Sequence, residues 1–310
     1  MTRIARVAAQ AKVNLFLRIG PADESGYHAL ATQFQRIDLA DVVVVEVGGS
    51  ERSLDCDGPF LPAAGLGPAE RNLAFRAAQA YAERAQWGGV RGFRIHLTKH
   101  IPAGGGLGGG SADAGAVLRC LDALAAEPLG PDALAAIART LGADVPFLTS
   151  EHVSAVGVGR GDRILGIPPL AERPIVLAVP DFPIATADAY RALDNAGGGS
   201  LPRSSVFLPQ GDEAEWRAVP GVGTLRDWSD AARASHNDFE AVLEPRFPRL
   251  RALRESLASA GAMLARLSGS GSTVFAVFEG DPPPSRDLSL DALVISARTS
   301  ARVVQVEVLE

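Results

Sequence analysis

Cysteine is scarce in this sequence of 310 residues, with only Cys56 and Cys120 present. The two lie far apart and lack the spacing of a metal-binding motif, which argues against a disulfide-stapled scaffold and a cysteine-based zinc centre. Cys120 shares an apolar helical pattern with Val117 and Leu121, so we interpret it as a small core residue. This usage fits a reducing compartment and predicts a cytoplasmic protein.

An excess of positive charge and a long hydrophobic run are also missing. The formal net charge is −6, which argues against a nucleic-acid partner and an anionic-membrane partner. We find no apolar run of the length that a signal peptide or a membrane span requires. With 47 % hydrophobic residues over 310 positions, the composition favours two globular domains. We expect small-molecule partners, and a monomer or a weak homodimer as the assembly.

Lysine is almost absent, since only Lys12 and Lys99 are lysine among the 30 Lys and Arg residues. Arginine is a planar fork, whereas lysine offers a compact and rotatable point charge. Lys99 lies five residues before a glycine-rich stretch, so both lysines become candidates for a site that handles negative charge. A chance distribution is the alternative, because two residues are a small sample.

Glycine, by contrast, is concentrated in one place. Six glycines fall among the seven residues from Gly104 to Gly110, and a helix-forming run follows as far as Leu124. Glycine lets neighbouring backbone N–H groups turn toward one centre, because it tolerates positive φ and has no side chain. The positive end of the following helix would face the same centre. The stretch predicts a phosphate-binding loop, with a mobile glycine linker as the alternative.

Two well-known phosphate loops do not fit this stretch. The P-loop needs a lysine directly before its Ser or Thr, and Gly110 stands before Ser111 instead. The spacing GxGxxG is satisfied from Gly104 onward, but a Rossmann turn follows its strand directly. Here the strand-like residues 93–97 end well before Gly104, and Pro102 lies between them. The loop therefore belongs to a third design.

Three further stretches place polar side chains. Residues 11–19 alternate with period two and predict a half-buried strand that presents Lys12 and Asn14 side by side. Asp144 follows a predicted helix, where it is either functional or ordinary turn chemistry. The turn Ser268-Gly269-Ser270-Gly271 lies between a predicted helix and a predicted strand. It is either a second anion-binding turn or a simple tight turn.

Taken together, these motifs resemble those of the GHMP kinase superfamily, whose phosphate loop reads PxxxGLGSSA. The segment from Pro102 to Ala112 matches this loop, with Gly106-Leu107-Gly108 in place. Matching blocks follow one another in the right order over nearly the whole chain, at residues 11–17, 26–28, 72–73, 104–113, 141–146, 157–161, 237–238 and 268–271. The chain departs from the family pattern at Ala112 and Ala185, where the family commonly has serine.

The resemblance implies an α+β, two-domain GHMP kinase fold. Its parts are a ribosomal-protein-S5-like N-terminal domain and a ferredoxin-like C-terminal domain, with the active site in the cleft between them. The Pro-rich stretch 166–174 is the best boundary, so we place the domains at residues 1–170 and 171–310.

The resemblance also implies ATP and Mg²⁺ as cofactors, and phosphorylation of the 2-hydroxyl of a cytidyl-diphosphate sugar alcohol on a route to isoprenoid precursors. The alternatives are a GHMP kinase for another alcohol, such as mevalonate or homoserine, and a non-catalytic nucleotide-binding relative.

Single residues receive roles from the same resemblance. It implies Asp144 as the catalytic carboxylate, Lys12 as its cationic partner, and Ser111 as a ligand of Mg²⁺. The residues implied for ATP binding are Asn72, Lys99, Pro102, Ala103, Gly104, Gly105, Gly106, Leu107, Gly108, Gly109, Gly110, Ser111 and Ala112. The residues implied for substrate binding are Asn14, Tyr27, His28, Thr186, Tyr190, Gly269, Ser270 and Gly271.

Overall fold

The computed structural model describes residues 2–24, 26–87, 92–201, 227–284, 288 and 290–309. Within these residues the chain forms two β-sheets with helices packed against them. The strands are β1 Arg3–Ala22, β2 His28–Val47, β3 Arg52–Asp57, β4 Phe93–Thr98, β5 Ser154–Gly159, β6 Arg163–Ile167, β7 Pro174–Val179, β8 His236–Asn237, β9 Leu264–Leu267, β10 Val274–Val277, β11 Leu293–Arg298 and β12 Glu307–Leu309. The helices are α1 Leu73–Arg84, α2 Gly109–Leu124, α3 Pro131–Leu141, α4 Val145–Thr149, α5 Thr186–Asn195, α6 Trp228–Ala234, α7 Asp238–Leu243 and α8 Pro248–Ser259.

The larger sheet is built on the long antiparallel pair β1 and β2. Its strand order among the described residues is β12-β1-β2-β4-β3, while β5 pairs with β2 and β6, and β8 pairs with β1. Across β1 and β2, Lys12 lies opposite Arg36 and Asn14 lies opposite Phe34. Directly opposed residues project to the same face of a sheet, so these four side chains share one face.

The expectation that residues 11–19 form a half-buried strand is wrong in one respect. The segment is a strand, but Lys12 and Asn14 are each only 3 % exposed, so the polar face is buried as well. Local alternation predicts two unlike faces and does not predict what covers them. Here the glycine-rich stretch covers Lys12, whose backbone N–H donates to Leu107 O, and β8 lies beside Phe16.

Helices α1 to α4 pack on this sheet and on one another. Helix α2 begins inside the glycine-rich stretch and buries an apolar face that includes Val117, Cys120 and Leu121. The interpretation of Cys120 as a core residue is therefore confirmed. Helix α3 has a proline in its first turn, as helices commonly do, and ends at Gly142. The short helix α4 follows at once.

The smaller sheet has the order β11-β7-β10-β9, and each neighbouring pair is antiparallel. Strand β7 connects to the far strand β9 through the stretch that carries α5 to α8, and β10 inserts between them. If these four strands are numbered 1 to 4 by their order along the chain, they lie side by side in the order 4-1-3-2. This is the strand order of a ferredoxin-like sheet, as expected.

Two short strands from the second half of the chain join the first sheet. β8 runs parallel to β1, with His236 opposite Phe16, and β12 is antiparallel to β1, with Leu309 opposite Ile4. The largest hydrophobic core likewise includes Leu177 of β7. The division at residue 170 stays a prediction. None of the described helices has the length and apolar character to cross a bilayer.

Candidate active site

Asp144 and Lys12 form an ion pair at the start of α4. Asp144 is the N-terminal cap residue of this helix, yet its side chain makes no capping hydrogen bond. Its Oδ2 lies 3.2 Å from Lys12 Nζ instead. The lysine is 3 % exposed and the carboxylate 31 % exposed, so the acid occupies the open side of the pair. A proton acceptor backed by a buried cation suits chemistry on a hydroxyl group.

A chain of hydrogen bonds fixes the lysine. Lys12 Nζ donates to Asn14 Oδ1 at 2.7 Å, and Asn14 Nδ2 donates to Thr32 Oγ1 at 2.8 Å. The Thr32 hydroxyl then donates to Phe16 O at 2.7 Å. In this chain of hydrogen bonds Asn14 accepts through Oδ1 and donates through Nδ2. Its side-chain amide can therefore make both bonds in only one orientation. Asn14 therefore orients Lys12 from the strand below it.

The glycine-rich stretch forms the loop that leads into α2. Gly104, Gly106 and Gly108 have φ values of 71°, 77° and 74°, which residues with a Cβ rarely adopt. Because every second residue of this segment has a positive φ, successive backbone N–H groups turn toward a common side, as in an anion-binding nest. Gly108 is also the N-terminal cap residue of α2, so the free N–H groups of that helix lie at the same place. The loop has the conformation that a phosphate site requires.

The turn at residues 268–271 packs directly on this loop. A Cβ at Gly106 would lie 2.1 Å from Ser268 O, and Ser268 Oγ donates to Gly106 O at 2.9 Å. On the other side of the turn, a Cβ at Gly269 would lie 3.4 Å from Lys12 Nζ. Asn237 Nδ2 holds the turn by donating to Gly269 O at 2.9 Å. The loop, the turn and the lysine therefore meet at one point.

Lys99 is enclosed by two carboxylates. Its Nζ contacts Asp41 Oδ2 and Asp113 Oδ2, and all three side chains are buried. Burial raises the pKa of Asp113 to about 7, with Lys99 opposing the rise and Asp41 adding to it. Asp41 Oδ1 also accepts from the backbone N–H groups of His100 and Ile101. The triad thus fixes the backbone that enters the glycine loop, and contact of Lys99 with ATP stays a prediction.

Asn72 and Ser111 flank the same loop. Asn72 Oδ1 accepts from Ala74 N at 2.9 Å and caps α1. The next residue, Leu73, lies 3.9 Å from the place of a Cβ on Gly110. Ser111 is half-buried in the first turn of α2. In the part of the chain that the structure describes, no group of three or more His, Cys, Asp or Glu is placed to hold a metal ion.

His28 lies at the other end of the site, against Tyr190. The two ring centroids are 5.0 Å apart, and His28 is 5 % exposed. Its Nδ1 lies 2.8 Å from Gly20 O, and its Nε2 lies 3.2 Å from Asp194 Oδ1. Both oxygens are acceptors, so the ring donates to both only in its doubly protonated form. Asp194 therefore occupies the ring edge that a ligand would use.

Tyr27 borders the opening near Asp144. It is 36 % exposed, and the Arg160 guanidinium lies 4.1 Å from its ring centroid. Burial raises the pKa of Tyr27, Arg160 opposes the rise, and Asp162 and Asp144 add to it. Asp144 also adds to the raised pKa of Tyr190, which burial dominates. Both phenols thus lie within electrostatic range of the catalytic candidate.

Thr186 joins the same region from the C-terminal half. Its hydroxyl is 3.0 Å from Ser270 Oγ, so the start of α5 is tied to the turn at residues 268–271. A Cβ at Gly104 would lie 3.6 Å from Pro183 Cβ, so the glycine loop also reaches this half. The predicted residues therefore form three connected groups: the ion pair with the turn, the glycine loop with its supports, and the His28 stack.

Several partners of the site were not predicted from the sequence. They are Thr32, Asp41, Asp194 and Asn237. Asn237 belonged to a matching block but received no role. Asp41 carried a signal, since an acid directly precedes the four consecutive valines at residues 42–45 of β2. The others carried none, because each makes its contact with a residue distant in sequence.

Comparison with known proteins agrees with this geometry. The family description "GHMP kinases N terminal domain" matches residues 72–152, and "GHMP kinases C terminal" matches residues 218–289. The 4-diphosphocytidyl-2-C-methyl-D-erythritol kinase of Anaeromyxobacter dehalogenans is 41 % identical over 276 residues, covering 88 % of this chain and 80 % of that protein. The kinase of the same name from Desulfotalea psychrophila is 37 % identical over 272 residues, which cover 87 % of this chain and 84 % of that protein.

Solved structures support the same assignment. A crystal structure of 4-(cytidine 5'-diphospho)-2C-methyl-D-erythritol kinase has a TM-score of 0.69 at 32 % identity and covers 96 % of this chain and 100 % of its own. Homoserine kinase from Cytophaga hutchinsonii, at 18 % identity, TM-score 0.67 and coverage of 99 % and 97 %, shares the fold. The expected two-domain fold and the expected superfamily are both confirmed. The chain is a kinase of the GHMP superfamily and belongs to its 4-diphosphocytidyl-2-C-methyl-D-erythritol kinase family.

Proposed function

We propose that this chain transfers the γ-phosphoryl group of ATP to the 2-hydroxyl of 4-diphosphocytidyl-2-C-methyl-D-erythritol, giving the 2-phosphate and ADP. The observation that carries the proposal is the contact of Lys12 with Asp144 at the point where the glycine loop and the turn at residues 268–271 meet. Two kinases named for this substrate are 41 % and 37 % identical to this chain over 88 % and 87 % of its length, which supports the choice of acceptor.

Asp144 accepts the proton of the attacking hydroxyl in this proposal. A free aspartate, with a pKa of about 3.9, is a weak base for an alcohol. General-base assistance accounts for roughly 10²–10⁴ in rate, and the remainder comes from alignment and charge stabilisation. Lys12 would supply both, because its ammonium lies 3.2 Å from the carboxylate and would stabilise the negative charge that develops on the attacking oxygen. Asn14 keeps the ammonium in place.

The glycine loop would hold the phosphates of ATP. Its N–H groups and the start of α2 supply donors without side chains in the way. The Ser111 hydroxyl in that first turn fits Mg²⁺, which binds with few protein ligands and takes most of its oxygens from phosphates and water. The metal would neutralise phosphate charge during transfer. Asn72 and Lys99 are proposed on the adenine side, Lys99 after exchange of a carboxylate contact.

The cytidyl end would bind at His28, Tyr27 and Tyr190. His28 would contact the cytosine after exchange of its Asp194 contact, and the phenol rings offer faces on which a base can stack, an interaction worth about 1–3 kcal/mol. Thr186 and the turn at residues 268–271 would contact the middle of the substrate. An aromatic group of this kind suits a cytosine base, which mevalonate and homoserine lack. The Lys12–Asp144 pair suits phosphoryl transfer, which a non-catalytic relative does not perform.

A substrate comparison tests the proposal. ADP release is measured with purified protein, ATP and Mg²⁺, and with 4-diphosphocytidyl-2-C-methyl-D-erythritol, mevalonate, homoserine or galactose as acceptor. We expect turnover with the cytidyl substrate to exceed that with any other acceptor by at least about 10³-fold in kcat/KM, the selectivity of sites that hydrogen-bond their substrate. Turnover with mevalonate or homoserine at a comparable rate would contradict the proposal.

The His28→Ala substitution tests the cytidyl end alone. Removing the ring leaves cytosine groups without a partner, at a cost of roughly 1–3 kcal/mol. We expect KM for the cytidyl substrate to rise about 5- to 150-fold and KM for ATP to stay unchanged. The matched control is His96→Ala, an exposed histidine paired with Asp57. A rise in KM for ATP alone would place His28 on the nucleotide side.

A further inference from the structure

Arg36 is the largest side chain among those that are fully buried, and it has no place in the site described above. It is 2 % exposed. Its guanidinium donates to backbone carbonyl oxygens at 2.9–3.1 Å, those of Phe147, Leu148, Ser150 and His152. Within the described residues the guanidinium contacts carbonyl groups and the Phe147 ring, at 4.9 Å from the centroid, rather than a carboxylate.

Two of these carbonyls, on Phe147 and Leu148, belong to the last residues of α4, and those of Ser150 and His152 follow the helix directly. A helix leaves its last four carbonyl groups without intrahelical donors, and α4 has only five residues. The negative end of the helix dipole lies there as well, so a cation is favoured. Ser150 also donates to Phe147 O, through its N–H at 3.1 Å and its hydroxyl at 2.7 Å, so Arg36 adds further donors and a positive charge at this end of α4.

The position of Arg36 in the sheet links it to the ion pair. Arg36 of β2 lies directly opposite Lys12 of β1, so both side chains leave the same face as neighbours. Lys12 contacts Asp144 at the N-terminal end of α4, and Arg36 contacts the carbonyls at its C-terminal end. Two adjacent cations of one sheet thus hold the two ends of the helix that presents Asp144.

Packing leaves α4 little freedom in the other directions. Phe34 stacks on Phe147 with ring centroids 4.9 Å apart. On the side of α2, a Cβ at Gly115 would lie 2.7 Å from the carbonyl carbon of Leu148, so the two backbones are in close contact. The Arg36 guanidinium adds hydrogen bonds to these apolar and backbone contacts of α4.

We propose that Arg36 is a positioning residue for phosphoryl transfer, which sets the place of α4 and thereby the distance from Asp144 to Lys12 and the substrate hydroxyl. The inference rests on the proposed role of Asp144. This role differs from a purely structural one, because substitution of Arg36 is predicted to lower turnover by changing the position of the Asp144 carboxylate.

The charge of Arg36 is maintained at working pH. Burial lowers the pKa of Arg36 to about 9, and the nearby Arg119 lowers it in the same direction. The guanidinium is therefore protonated at neutral pH and donates to all of its carbonyl partners.

Arg36→Lys is the test variant, since it keeps the charge and removes the fork that reaches several carbonyls at once. We expect kcat to fall by about 10- to 100-fold, because displacement of a catalytic group by about 1 Å has an effect of that order. KM for ATP should change by less than about threefold, since the glycine loop is not touched. The control is Arg254→Lys, which removes an equivalent fork from an ion pair with Glu244 in the C-terminal half. Melting temperatures of both variants give the purely structural effect.

A double-mutant cycle with Asp144→Asn decides between positioning and structure. If Arg36 acts through Asp144, adding Arg36→Lys to Asp144→Asn lowers kcat by less than about threefold, because coupled residues are not additive. An equal loss in both backgrounds, with Asp144→Asn itself strongly impaired, would overturn the positioning role alone. Near-normal kcat in Asp144→Asn would instead contradict the proposed function. Should Arg36→Lys not fold, Arg36→Gln replaces it in the same cycle, since it leaves no unpaired charge in the core.

Discussion

Asp144→Asn lowers kcat by at least about 10²-fold, which is the largest effect we expect from a single substitution in this chain. The amide keeps the shape of the side chain but cannot take the hydroxyl proton, and it removes the negative charge beside Lys12. Because the Asp144 side chain caps no backbone group of α4, the helix itself should persist. Steady-state kinetics with each substrate varied separately measures the effect, with KM for ATP little changed.

The control for this variant is Asp188→Asn, on an exposed aspartate paired with Arg191 in α5. It removes the same charge from a side chain that pairs with Arg191 rather than with Lys12. Turnover of Asp144→Asn within a few-fold of this control would show that Asp144 is ordinary turn chemistry, and the catalytic assignment would be wrong.

Lys12→Arg should also lower kcat by about 10²-fold, although the charge is kept. The ammonium sits between Asp144 and Asn14, and a Cβ on Gly269 would already lie 3.4 Å from it. A planar guanidinium is wider than this space and must displace the carboxylate or the turn. Displacement of either the carboxylate or the turn would misalign the acceptor hydroxyl, so we expect kcat to fall while KM for ATP changes little.

Arg94→Lys is the matched exchange for this second test, at a residue that is 58 % exposed and pairs with Glu51. It should leave the kinetics unchanged, since an exposed pair contributes little to stability and none to the site. Normal activity in Lys12→Arg would show that the site needs only a positive charge, and that the scarcity of lysine in the chain has no functional meaning.

The glycine loop was predictable because its information is local. Positive φ at Gly104, Gly106 and Gly108 follows from residue type, and a helix-forming run directly after them requires its N-terminus at that place. The start of α2 was expected a few residues later than Gly109, since glycine is a poor helix former and only the phosphate-loop geometry places it inside the helix.

The pairing of Lys12 with Asp144 was less accessible to local reasoning. Period-two alternation put Lys12 on a strand, and the segment after Gly142 put Asp144 beyond a helix, but nothing local joins the two. The resemblance supplied the pairing. Burial of the polar face of β1 was missed because the covering segments come from residues 104–108, 236–237 and 268–271, far along the chain.

Charge partners were the least predictable part of the site. Lys99 looked like a free cation beside a phosphate loop, and the structure places it between Asp41 and Asp113. His28 looked like a free ring, and the structure places Asp194 on its Nε2. In both cases the carboxylate is brought in by tertiary contacts, which no window of sequence contains.

The pairing of β12 and β8 with β1 has a consequence for biosynthesis. On the ribosome, β1 emerges first, and its neighbours at residues 236–237 and 307–309 emerge only after β2 to β7 have been synthesised. The turn at residues 268–271, which lies beside Lys12, also emerges after β7. Contacts over such long stretches of chain are slow to form and leave strand edges open in the meantime. The nascent chain therefore carries an unfinished sheet until residues 236–237 and 307–309 have emerged, and the candidate site assembles only once residues 268–271 have left the exit tunnel.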